Sequence, residues 1–240
     1  LYGRKELLEK EISKKKLVDQ NCEIINTKDV ILDSESPLAA AKKGKESSLW
    51  KAVESQKEEK SDISLSAGNT GAMLVISRLI LNTIEGISKP ALAGLWPNNN
   101  NMSVVLDLGA NIECSHKNLI DFSIMGSALF KSLFNNEKPK IALLNVGLEE
   151  NKGNEILKRA SSILKNDKKK DFEFSGYIEG NQIMDGGVDV IVTDGFTGNV
   201  ALKTAEGTAN FITSELKKAM KSSIIGKISG LLAYSNLNQF

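Results

Sequence analysis

The feature that most limits what this chain can fold into is a pattern that occurs four times. A short apolar run is followed by a turn of glycine and small polar residues, and then by a helix-like stretch. The runs are "DISL" (62–65), "SVVLDL" (103–108), "KIALLNV" (140–146) and "VDVIVTD" (188–194). The turns behind them read "SAGNTGA", "GANIE", "GLEENKGNE" and "GFTGNVALK". Continuous hydrophobic blocks with β-branched residues suit strands covered on both faces. Between them, "AMLVISRLILNTI", "HKNLIDFSIMGSALFKSLF", "NEILKRASSILK" and "NVALKTAEGTANFITSELKKAM" read as helices. The alternation predicts an α/β fold with a mostly parallel sheet wound by helices. The turns at 66–71, 109–113, 147–153 and 194–199 are then expected on one edge, outside the carboxyl ends of the strands, where ligands bind.

Upstream of the first run the pattern is weaker. Residues 4–19 place Leu7, Leu8, Ile12 and Val18 among lysines, as in an amphipathic surface helix. "CEIINTKDVI" reads as a strand and its exit, and "SPLAAAKKGKESSLWKAVESQ" as helix with a break near Gly44. "NDKKKD" (166–171) reads as a solvated turn and "PNNNN" (97–101) as a polar loop. With 240 residues, the chain is expected to form a single α/β domain over 1–240. It begins at Leu1, already in helix-like sequence, and is expected to be a piece of something longer, truncated at both ends.

Glycine in a strand-to-helix turn lets a ligand approach the main chain, and the N–H groups at a helix start favour anions. Gly68-Asn69-Thr70-Gly71 and Gly195-Phe196-Thr197-Gly198 share the form G-x-T-G. Either alone is an ordinary tight turn. Two of them, beside an Asn-bearing and a Lys-bearing turn, point to a cleft for a phosphate and a second, uncharged or acyl group.

What is absent narrows the chemistry. The Walker loop and the G-x-G-x-x-G fingerprint are missing. His116 is the only histidine, and "CSH" (114–116) reads as a surface histidine beside a structural cysteine. Cys22 and Cys114 are too few for a disulfide framework and fit a reducing cytoplasm. No His/Cys spacing marks a metal site, and no cofactor is expected. A formal net charge of +1 gives no reason to expect nucleic acid as a partner. No apolar run approaches the roughly 20 residues of a membrane-spanning helix. Such an enzyme needs a reaction whose nucleophile arrives with the substrate, and inorganic phosphate is one.

"SAGNTGA", "KPALAGLWP", "VLDLGAN", "ALLNVGLEENKGNE" and "DVIVTDGFTGNVALKTAEG", in this order and spacing, resemble the phosphate acyltransferase family of bacterial phospholipid synthesis (PlsX). The resemblance runs from about residue 25 to residue 220. It implies transfer of a fatty acyl group from acyl carrier protein to inorganic phosphate, giving acyl phosphate. It also implies an isocitrate/isopropylmalate dehydrogenase-like layout, a homodimer, and a cytoplasmic protein in peripheral contact with the membrane. The sequence departs from the family at both ends: the opening strand with its D-A-M-G-G-D turn and the A-H-G-S-S-D stretch are missing. "LWPNNNNMS" also lacks the glycine usual before the next strand.

Lys152 matches the lysine that the family places in "EENKGNE", where it would neutralise phosphate and the developing oxyanion; the alternative is a solvated loop lysine. Asn69 and Thr70 are expected to donate to phosphate, with Gly68 and Gly71 permitting its approach. Asn111 and Asn145 are ligand contacts or turn formers. Asp194, Thr197, Gly198 and Asn199 lie in the most specific motif, where Asp194 could instead cap a helix. Over 217–235 an amphipathic helical region is expected, with Ile224, Ile225, Ile228, Leu231 and Leu232 on one stripe and lysines beside it. The stripe fits a core or dimer interface. By the resemblance it fits membrane contact through Ile224, Ile225, Leu231 and Leu232.

Overall fold

A computed structural model describes residues 1–14, 21–168, 170–223, 226, 229, 232 and 233 of the chain. Its contacts group into two compact units, Leu1–Pro90 and Ala91–Phe240. The sheet expected of the whole chain lies in the second.

In the first unit β1 (Tyr2–Gly3) pairs in parallel with β2 (Ile25–Asn26). Among the described residues, four helices accompany them: α1 (Lys5–Ile12), α2 (Pro37–Lys43), α3 (Ser48–Lys57) and α4 (Thr70–Leu81). Their starts are written locally. Ser36, Ser47 and Asn69 each accept a main-chain N–H from the first turn that follows, at 3.3, 3.2 and 2.9 Å. Gly44 ends α2, as the sequence predicts. Ala40, Ala41, Leu49, Val53, Ala72, Ile76 and Ile80 form the unit's core.

The run "DISL" corrects the sequence reading. Residues 62–65 pair with no strand among the described residues, and Ile63 and Leu65 are 68% and 81% exposed. A short apolar run becomes a strand only where a neighbouring edge accepts its hydrogen bonds, and the run itself cannot specify that.

The second unit holds a five-stranded sheet in the order β3-β4-β7-β5-β6. The strands are β3 (Ala93–Pro97), β4 (Met102–Leu106), β5 (Lys140–Leu144), β6 (Glu173–Ile178) and β7 (Val190–Val192). All are parallel except β3, which runs antiparallel to β4. The intervening helices are α5 (His116–Phe134) and α6 (Glu155–Asn166), and α7 (Gly195–Lys221) follows β7. The three central strands bury both faces. Val104, Leu106, Ile141, Leu143, Val190 and Val192 join one cluster with Phe122 and Phe130 of α5. The alternate residues Val105, Ala142, Leu144 and Ile191 join the other, against Ala201, Leu202 and Ala205 of α7. Gly126 lets α5 lie close to the sheet, since a Cβ there would stand 2.5 Å from Val190 Cγ1.

The two outer strands were not legible as strands. β6 carries Ser175 and Gly176 in mid-run and buries only Ile178 fully, while β3 buries only Trp96. Edge strands need no two-sided apolar run, so they lack the signal that marks the centre. The polar loop "PNNNN" proves to be the β3–β4 hairpin connection. Asn98 Oδ1 accepts the N–H groups of Asn100 and Asn101 at 2.9 and 2.7 Å and closes it.

Candidate active site

Because β4, β5, β6 and β7 are parallel, the turns after Leu106, Leu144, Ile178 and Val192 leave the same edge of the sheet. Three of the four expected turns therefore share it: 109–113, 147–153 and 194–199. The fourth, 66–71, follows no strand and belongs to the first unit, where it lines a separate cavity of about 460 Å³. The single four-turn edge is thus corrected to three turns, joined by the one after β6.

A cleft of about 700 Å³ opens on this edge. Leu144, Val146, Leu157, Val200 and Ala201 give it an apolar wall, and Asn145, Asn154, Asp194 and Thr197 supply polar groups. Gly153 and Gly180 complete the lining. The α6 start is capped by Asn154 Oδ1, which accepts Leu157 N–H at 2.9 Å. Ahead of that cap stands Lys152, exposed and with no ion-pair partner among the described residues. Of its acidic neighbours, Glu150 pairs with Lys165 and Glu155 with Lys158 at 3.0 Å, while the Glu149 carboxylate lies beside the lysine stem over Gly147 without an ion pair among the described residues. The Lys165 ammonium beside Glu150 holds its carboxyl below the usual value. In the chain Lys152 directly precedes Gly153 and Asn154 of the cleft lining.

The floor of the edge is built by a residue that the sequence reading did not single out. Asp107 is fully buried directly after β4. Its Oδ1 accepts the N–H groups of Leu92, Gly109 and Ala110 at 3.0, 3.1 and 2.9 Å. Its Oδ2 accepts the N–H and Nδ2 of Asn111 at 2.8 and 2.7 Å. Successive main-chain N–H groups of this kind form an anion-binding concavity, and here the chain's own carboxylate fills it. The N–H groups of residues 109–111 are thus already taken by the chain's own carboxylate. Its signal was the aspartate at the end of an apolar run with glycine two residues on, which reads equally as an ordinary strand exit.

The family model described as "fatty acid synthesis protein" matches residues 1–240. A phosphate acyltransferase of Pelagibacter ubique is 63% identical over all of this chain, which spans 72% of that protein. One from Maricaulis maris is 39% identical, again over the whole chain and 68% of the relative. The chain belongs to the phosphate acyltransferase family. Among solved structures, the fold is similar to a phosphotransacetylase of Streptococcus pyogenes, with TM-score 0.62 and 19% identity over 87% of this chain and 73% of that one. The EutD phosphotransacetylase of Staphylococcus aureus gives TM-score 0.59 and 17% identity over the same shares. The expected α/β layout with a mostly parallel sheet is the one found.

Within this phosphate acyltransferase chain, the amides singled out by sequence turn out to be largely committed. Asn69 donates through Nδ2 to the carbonyls of Leu32, Asp33 and Glu35 at 3.3, 3.2 and 3.1 Å, while its Oδ1 caps α4. Its side-chain donors hold the 32–35 segment. Gly71 serves packing, since a Cβ there would lie 2.6 Å from Pro37 Cγ at the start of α2. Thr70 is exposed in the first turn of α4, and Gly68 donates its N–H to Ser66 Oγ at 3.1 Å. Asn111 Nδ2 is bound by Asp107, and Asn145 Nδ2 by the carbonyls of Gly147 and Lys152.

In "DGFTGN", Asp194 caps α7, accepting the N–H and hydroxyl of Thr197 at 2.8 and 2.9 Å, and both residues line the cleft. Gly198 is buried against the Asp107 carbonyl, and Asn199 packs beside Gly109, whose φ of 134° requires glycine. His116 opens α5, and Cys114 Sγ lies 3.6 Å from the Asn111 carbonyl. Of the terminal stripe, Ile224, Ile225, Ile228 and Leu231 lie outside the described residues, and Leu232 is 78% exposed. No helix among the described residues is long and apolar enough to cross a membrane.

Proposed function

We propose that this chain transfers a fatty acyl group from acyl carrier protein to inorganic phosphate. The observation that carries the reading is the unpaired Lys152 beside a cleft with one apolar wall, in a chain 63% identical to a phosphate acyltransferase. A phosphate oxygen attacks the thioester carbonyl carbon, and the resulting oxyanion is stabilised by Lys152. The intermediate then collapses with cleavage of the C–S bond. The phosphate's proton passes to the departing thiolate, leaving acyl phosphate and free thiol. In this reading Leu157 and Val200 of the cleft wall receive the acyl chain, and Asp194 and Thr197, bonded to each other at the start of α7, border the site.

A second reading takes a coenzyme A thioester as donor, by analogy with the phosphotransacetylase fold neighbours. The test measures acyl phosphate formation from carrier-protein and coenzyme A thioesters of one acyl group, using the chain at the full length of its relatives. Preference for coenzyme A would overturn the first reading. The reading includes a homodimer, supported by the exposed Phe211, Ile212 and Leu216 of α7. It also places the protein in the cytoplasm in peripheral contact with the membrane, supported by the apolar stripe near the end of the sequence. An acyl phosphate enters water poorly, so delivery at a bilayer surface suits its chemistry.

A further inference from the structure

Asn145 is the first residue beyond β5, and its side chain does more than form a turn. Its main-chain N–H donates to the Ile178 carbonyl at 2.9 Å, so the ladder with β6 fixes its position. It is only 8% exposed. Its Nδ2 donates to the Gly147 carbonyl at 3.0 Å and to the Lys152 carbonyl at 3.3 Å, spanning the turn from one end to the other. Its Oδ1 is buried without a hydrogen-bond partner and faces the position that a Cβ on Gly153 would occupy. The amide therefore has one orientation: turned over, its oxygen would face two carbonyl oxygens. A buried, unsatisfied oxygen is unfavourable, and a side chain that keeps one is held there by its other bonds.

The turn so clasped aims Lys152. The Lys152 N–H donates to the Glu149 carbonyl at 3.0 Å, which closes the loop from inside. A Cβ on Gly147 would stand 2.9 Å from Lys152 Cγ, so the lysine stem crosses Gly147 where only glycine leaves room. Gly153, with φ of 83°, completes the turn before α6. An exposed lysine on a free loop would spread its charge over many rotamers. Here the main chain beneath it is tied at both ends and its stem is seated.

We propose that Asn145 is a positioning residue: it clasps the 147–153 turn and so sets where Lys152 delivers its charge. The inference rests on the role of Lys152 given above. It replaces the sequence-based expectation of Asn145 as a substrate contact.

The test is a double-mutant cycle in the full-length enzyme with Asn145→Ser, Lys152→Ala and both together. Alongside it, hydrogen–deuterium exchange is read over residues 146–154. Asn145→Ser is expected to lower kcat on the order of 10-fold to 10²-fold with KM for phosphate little changed, as for a misplaced catalytic group. In the Lys152→Ala background it should change kcat by less than about twofold, because the residue it serves is gone. Exchange in the turn should rise about tenfold while that of β5 stays constant. Gly147→Ala, which displaces the stem and spares Asn145, should reproduce the kcat loss without faster exchange. It keeps the test open if the serine variant folds poorly.

Equal loss of kcat in both backgrounds, or unaltered exchange in Asn145→Ser, would overturn the proposal. If Lys152→Ala alone leaves kcat unchanged, the catalytic reading of Lys152 fails, while the exchange result still decides whether Asn145 holds the turn.

Discussion

The main-chain N–H of Gly195 donates to the carbonyl oxygen of Asn111 at 2.8 Å, locking the start of α7 onto the turn after β4. A Cβ on Gly195 would lie 2.6 Å from that same oxygen, so the bond needs glycine. Through it the buried Asp107, which holds Asn111, is mechanically linked to Asp194 and Thr197 in the cleft. Two motifs far apart in sequence, "LDLGAN" and "DGFTGN", thus act as one piece.

Replacing Asp107 tests that piece. Asp107→Asn keeps the shape but turns an NH2 group toward main-chain N–H donors on one side or the other. Hydrogen bonds to a charged partner contribute about 1.5–3 kcal/mol, and orphaned buried donors are costly. A loss of about 3 kcal/mol in urea denaturation is expected; a loss below about 0.5 kcal/mol would mean the carboxylate does not organise the turn.

Gly198→Ala places a methyl group on the Asp107 carbonyl. Overpacking typically costs about 1–3 kcal/mol, and for a chain of this size each kcal/mol lowers Tm by roughly 2–4 °C. A drop within that range, with weaker activity at permissive temperature, is the expected outcome of a thermal melt.

Lys152→Ala removes one electrostatic donor from a developing oxyanion. Such a donor is worth about 2.7–4 kcal/mol, or about 10²–10³ in kcat. Because the side chain is exposed and unpaired, Tm should stay within about 1 °C. Steady-state kinetics and a melt on the same preparation check both halves.

Cys114→Ser and His116→Ala should retain nearly full turnover, since phosphate supplies the nucleophile. An acyl group trapped on Cys114 and seen by mass spectrometry would establish covalent catalysis instead.

On the membrane contact and homodimer proposed above, replacing Ile224, Ile225, Leu231 and Leu232 with Asp should abolish flotation with anionic vesicles and leave soluble activity and the proposed dimer intact. Dissociation to monomer or unfolding on gel filtration would assign the stripe to an interface or core.

The sequence alone determined the centre of the sheet and most of the helices. Runs such as "IALLN" and "VDVIVT" announce strands buried on both faces, because two-sided burial leaves no polar alternation. The helix-like runs over "SPLAAAKK", "HKNLIDFSIMGSALFKSLF" and "NEILKRASSILK" are helices, and the structure adds the caps at Ser36, Ser115 and Asn154, each bonding the turn directly after it. The glycine turns at the strand ends, and hence the edge that carries the cleft, follow from the same local rules.

What only the tertiary structure decided was which partner each group finds at a distance. β3 and β6 became strands because β4 and β5 offered them edges, while "DISL" met no edge among the described residues. Asn69 spends its side-chain donors on carbonyls at 32–35, Asp107 fills the socket at 109–111, and Glu150 goes to Lys165. Local sequence fixes a residue's donors, acceptors and charge. Which of them remain available to a substrate is settled only by the long-range pairings of the folded chain.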